Sequence, residues 1–232
     1  MAIKSSIQTR ERGITGLETA IILIAFVVVA SVFAFTVLST GIFSSERSKE
    51  TVFAGIQEAQ STLEPRGSVV AYKGVLAGPT STVYKLTFVV SNAVAGEPVD
   101  LTPDFTADGS GTDPDVSAGA SSVTVISYSD KNQFLNDLPW TISWLGNNDG
   151  DNLLENNEKA EISIWLLNRE TATAIDTAGS VTFQTTEGGM TSSATVLATG
   201  DQFTVQVQPP NGAVLNIRRE LPAQLDTVMD LN

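Results

Sequence analysis

The sequence predicts an α+β chain: a long N-terminal hydrophobic α-helix over residues 14–64, followed by a β-sandwich or barrel over residues 65–232. Three observations predict this class. Residues Ala20 to Leu38 carry no charge, a run long enough to cross a bilayer as a helix. A helical pattern with one apolar face follows it. Beyond Ser68, short segments with apolar residues at every second position recur between turn-rich loops, as expected for half-buried strands.

The N-terminal segment reads in order from its charges. Lys4, Arg10 and Arg12 outweigh Glu11, so the N-terminus is expected to stay cytoplasmic and the remainder to lie outside. A secretory signal has a short apolar region with its cleavage site after it. Here the apolar region is too long, and the plausible break precedes it, at RERG|I. A cut after Gly13 removes a basic leader, residues 1–13, and leaves the helix on a mature chain beginning at Ile14. Glu18 is the sole carboxylate within the apolar run. In hydrocarbon it requires pairing or protonation, and the new α-amino group of Ile14 is a suitable partner.

Arg12-Gly13 followed by ITGLETAIILIAFVVVA resembles the class III signal of type IV pilin-like proteins, and the segment through VLSTGIFSSERSKETV is similar to archaeal flagellins (archaellins). The resemblance implies a membrane-embedded prepilin-type signal peptidase cutting after Gly13. It implies a precursor in the cytoplasmic membrane, and self-association of the freed helices into the core of an extracellular filament. Glu18, fifth in the mature chain, would guide assembly with Ile14. Flagellar assembly and motor machinery would be further partners. The outer domain would be immunoglobulin-like, and PPNGAVLNIRRELP looks like the end of such a domain.

After Gly41 the residues Val52, Phe53, Ile56, Ala59 and Leu63 fall at spacings of three or four, one face of a helix. Pro65 and Gly67 read as its stop. An uninterrupted helix to Glu64 would be about 75 Å long. A plain anchor needs only the first part; a filament core uses both, since burial of apolar flanks drives association outside the bilayer. Gly16, Ala25, Ala30, Ser31, Ala34 and Gly41 permit close helix approach.

Seven or eight strands are expected in the outer domain. Tyr84, Leu86, Phe88 and Val90 alternate in STVYKLTFVV, and SSVTVISY repeats the theme with Val123 and Val125. Trp140, Ile142 and Trp144 share one face of WTISWL; Ile162, Ile164 and Leu166 share one face of EISIWLL. VTFQTT and QFTVQV follow, the latter with Phe203, Val205 and Val207, and AVLNIRRELP closes the domain. The stretch LTPDFTADGSGTDPDVSAGAS reads as an exposed loop on the filament surface. In GNNDGDNLLENNEKAE, Asn147, Asp149, Asp151, Glu155 and Glu158 match positions 1, 3, 5, 9 and 12 of a calcium loop. Position 1 is Asn rather than Asp, however, position 6 is Asn152 rather than Gly, and the flanks read as strands, which favours a solvated hairpin.

Composition excludes much else. The chain has no cysteine and no histidine, so disulfides, thiol nucleophiles and the usual general base are absent. A net charge of -13 argues against nucleic acid as a partner. No Asn-x-Ser/Thr sequon and no phosphate-binding loop occur. The expected function is therefore a non-enzymatic subunit of a motility filament, with rotation powered elsewhere. A type IV-like adhesion pilin subunit and a membrane-anchored extracellular β-sandwich binding protein are the alternatives, and an anchored hydrolase is the weakest.

Overall fold

The computed structural model describes residues 11–60, 62–78, 80–94, 96–119 and 121–231, with the side chains of 11–15 and 57–60 excepted. The chain divides into two units, one through Ala54 and one from Gly55 onward.

Helix α1 runs from Glu11 to Gln60, passing through Gly41 without a break. Its termination differs from the sequence expectation. Leu63 does not belong to the apolar stripe of the helix; it opens a strand and is buried there. Pro65 and Gly67, which read as helix stops, lie inside that strand. Pro65 pairs with Val90, beyond the reach of the second neighbouring strand, so its missing N–H is not needed on that side. Gly67 has φ +85, the left-handed backbone that accompanies the register shift between Arg66 and Val70.

Among the described residues, eight strands of four or more residues build the β-domain: β1 (Leu63–Val75), β2 (Ser81–Asn92), β3 (Val125–Asp130), β4 (Trp140–Trp144), β5 (Ala160–Trp165), β6 (Gln202–Gln208), β7 (Leu215–Glu220) and β8 (Val228–Leu231). One sheet has the order β8-β1-β2-β5-β4; the second has β7-β6-β3 followed by the short strand Phe134–Leu135. These pairings are antiparallel. The inner faces of both sheets meet in one core, in which Leu86, Trp140, Ile162, Ile164, Tyr128 and Phe203 are buried. The sandwich expected from alternation is thus present. Tyr128 stacks on Phe203 with ring centroids 6.1 Å apart, and its hydroxyl donates to Asp130 at 2.7 Å.

Three details depart from the sequence reading. In the segment of β3 the inward residues are Thr124, Ile126 and Tyr128, whereas Val123 is exposed and Val125 only half-buried. Thr124 tolerates burial because its hydroxyl donates to the carbonyl of Asp100 at 2.7 Å. AVLNIRRELP does not close the domain: β8 follows it and pairs with β1 from Val69↔Leu231 to Tyr72↔Val228. The aspartate-rich stretch is more than an exposed loop. Phe105–Thr106 pairs with Asp115–Val116, Thr112–Asp113 joins a small sheet through Arg169 and Glu170, and Leu101 and Asp113 are buried.

Candidate functional site

The feature that sets this chain apart is α1. One helical stretch, Gly16–Ile56, is long and apolar enough to cross a membrane. Its large side chains are exposed: Phe26, Phe33 and Phe35 at 71%, 66% and 73%. So long an apolar surface is not stable against water; lipid or further apolar helices must cover it. The polar atoms of the helix are arranged for that setting. The hydroxyls of Ser31, Thr36 and Thr40 donate to the carbonyls of Val28, Val32 and Thr36 at 2.8, 2.8 and 2.7 Å, so they carry no unmet hydrogen bond into an apolar phase. Charge returns only beyond Ser45, where Arg47 pairs with Glu50 at 3.3 Å and packs over the Phe43 ring.

Glu18 is exposed on the first turns of this surface. It forms no ion pair among the described residues. Arg12, Gly13 and Ile14 have helical backbone, but their side chains fall outside the described residues, as do Lys4, Arg10 and the rest of the leader. Of the lower stripe, Val52, Phe53 and Ile56 are exposed; the side chain of Ala59 lies outside the described residues.

The calcium-spaced residues sit in the β4–β5 hairpin, where Asp149, Asp151 and Glu158 turn their carboxylates onto the loop's own backbone. Asp149 accepts from the Asp151 N–H at 3.3 Å, and Asp151 accepts from the Leu153 N–H at 2.9 Å. The buried carboxylate of Glu158 accepts from the Glu155 N–H at 3.0 Å. Among the described residues, the grouping of three carboxylates occurs elsewhere, at Asp108, Asp113 and Asp115. Its members also serve the backbone: Asp113 accepts from the Asp108 N–H at 3.2 Å, and Asp108 from the Ser110 N–H at 2.8 Å. Burial pushes the Asp113 carboxyl above its ordinary value, with Asp108 and Asp115 adding repulsion. Sequence reading missed this grouping because it took the whole stretch as solvent-exposed.

Helix and sandwich together describe a subunit built to bury its helix against something outside its own chain. The family model for archaeal-type flagellin matches residues 13–219. A relative named probable flagellin 1 from Archaeoglobus fulgidus is 32% identical over 226 residues, covering 95% of both chains. Probable flagellin 1 from Aeropyrum pernix is 31% identical, covering 94% of this chain and 96% of its own. Among solved structures, the archaeal flagellum of Methanospirillum hungatei strain JF1 shares the fold, with a TM-score of 0.54 at 22% identity over 93% of this chain and 98% of that one. The chain belongs to the archaeal-type flagellin family. It is a structural subunit of the archaeal flagellar filament, not an enzyme, and it works in an extracellular filament reached from a membrane-anchored precursor.

Proposed function

We propose that residues 1–13 are a cytoplasmic leader, that a prepilin-type signal peptidase cuts between Gly13 and Ile14, and that Glu18 then guides entry of the helix into the growing filament. The observation that carries this reading is the single carboxylate of Glu18 on a helical surface that carries no other charged side chain from Ile14 to Ser45. An unpaired carboxylate in an apolar bundle is costly, and cleavage creates a positive charge, the α-amino group of Ile14, at the end of the same helix. That amine, from the same or a neighbouring subunit, neutralises the carboxylate as the helix leaves lipid. The flagellar assembly machinery receives the cleaved chain, and a separate motor turns the filament.

Peptide mass spectrometry on filaments sheared from cells tests the cut. The expected N-terminus is Ile14; a chain beginning near Met1 in the filament would overturn it. Glu18→Gln is expected to lower filament yield at least tenfold while the precursor is still cleaved. Unchanged yield would remove the assembly role and leave Glu18 as a residue of the headgroup boundary.

A further inference from the structure

The outer face of the β8-β1-β2-β5-β4 sheet carries polar chemistry that filament assembly through α1 does not use. Strand pairing places Lys85 between Tyr72 and Trp165, and Ser163 between Thr87 and Thr141. Period-two geometry points Lys85 and Ser163 away from Leu86 and Ile162, while Trp165 is itself buried. The Lys85 ammonium lies 4.4 Å from the Tyr72 ring centroid and 5.0 Å from that of Trp165. Among the described residues it has no ion pair. Burial holds the amine below its ordinary value. A half-buried ammonium without a hydrogen-bond acceptor is costly; cation–π contact and the Glu161 and Asp113 carboxylates offset part of that cost.

This lysine opens into a groove of about 770 Å3 whose other wall is the folded aspartate-rich stretch. That wall is fixed in place. The Ser117 N–H donates to the Asp104 carbonyl at 2.8 Å, the Ser122 N–H donates to the Asp104 carboxylate, and Phe105–Thr106 pairs with Asp115–Val116. The groove presents one ammonium (Lys85), one carboxylate (Asp113), hydroxyls including Thr106, Ser143 and Ser163, and the half-buried ring of Phe105. An anionic ligand would meet Asp113, and a cationic one would meet Lys85. A neutral polyhydroxylated ligand satisfies both, because its hydroxyls accept from an ammonium and donate to a carboxylate.

We propose that the groove is a binding site for a neutral saccharide of one or two rings, with Lys85 donating to and Asp113 accepting from ring hydroxyls and Phe105 covering an apolar sugar face. The volume lies within the range of small-ligand pockets, and the fixed walls reduce the entropic cost of binding. The site is independent of the leader and of Glu18, so its failure leaves the assembly reading untouched.

The test is saturation-transfer NMR on the full-length chain in a detergent without a sugar head group, with glucose, galactose, mannose and N-acetylglucosamine as probes. At least one sugar is expected to receive saturation at millimolar concentration. Lys85→Met, which keeps the aliphatic stem between the two rings, is expected to weaken binding roughly tenfold or more. Ser143→Trp, at an exposed position on the groove wall, is expected to block it without altering the melting temperature. No transfer to any of the four sugars would overturn the proposal. So would binding by the folded Ser143→Trp variant equal to that of the parent chain.

Discussion

Helix α1 and the β-domain both depend on apolar side chains, and they dispose of them in opposite ways. In the β-domain, Leu86, Ile126, Ile162, Ile164 and Val207 are fully buried by their own chain. In α1, residues as large as Phe33 and Leu38 stay mostly exposed. The sandwich completes its burial within one subunit. The helix does so only in lipid and then in a filament, and the hydroxyls of Ser31, Thr36 and Thr40 stay bonded to their own backbone turn. Stability of the subunit and stability of the polymer are therefore written on different residues.

The sharpest break of that comparison is a charge placed on the helix. Val29→Asp, which costs on the order of 3 kcal/mol at the centre of a membrane helix, is expected to abolish filaments seen by electron microscopy. The melting temperature of the β-domain should not move. The converse variant, Trp140→Ala, removes a fully buried side chain and is expected to cost about 3–5 kcal/mol in denaturant unfolding. If that loss left domain stability intact, the division between the two regions would fail.

A smaller effect concerns pH. The Lys131 ammonium beside Asp201, with the Ala198 N–H, holds the Asp201 carboxyl below its ordinary value. A carboxylate with a depressed folded-state pKa stabilises above its unfolded value, near 3.9, and that stability is lost as pH falls through the folded value. Asp201→Asn should therefore lower the melting temperature at pH 7 and flatten its decline below about pH 4. Ion pairs on α1, such as Arg47–Glu50, should leave this profile unchanged. The smallest effect is expected from calcium. Because Asp149, Asp151 and Glu158 serve the backbone of their hairpin, titration with the ion should leave the melting temperature of the β-domain unchanged.

Sequence made the large features legible wherever one physical signal dominated. An uncharged run such as Ala20–Leu38 has few folded solutions, and period-two alternation at Tyr84–Val90 and Phe203–Val207 located β2 and β6. It failed where signals competed. The strand LEPRGSVVAYKGV carries a proline and a left-handed glycine, both of which argue against strand until the register shift is known. SSVTVISY supports two opposite faces, and a hydrogen bond to the distant Asp100 carbonyl decides between them. VMDL is too short to stand out before its partner is known. The groove of Lys85 was invisible for a similar reason: its walls come from the centre of a sheet and from a stretch whose composition reads as loop.

The pairing of β8 with β1 joins the two ends of the β-domain's chain. The first strand after the helix finds one neighbour at once, in the adjoining β2, but its other edge waits for residues that emerge after nearly the whole domain has been made. Contacts so distant along the chain close slowly, and until they close, β1 offers an open edge to any passing strand. The segment that holds the subunit at the membrane precedes the β-domain in the chain and is made before it. A nascent chain is thus tethered through the interval in which its sheet is still incomplete.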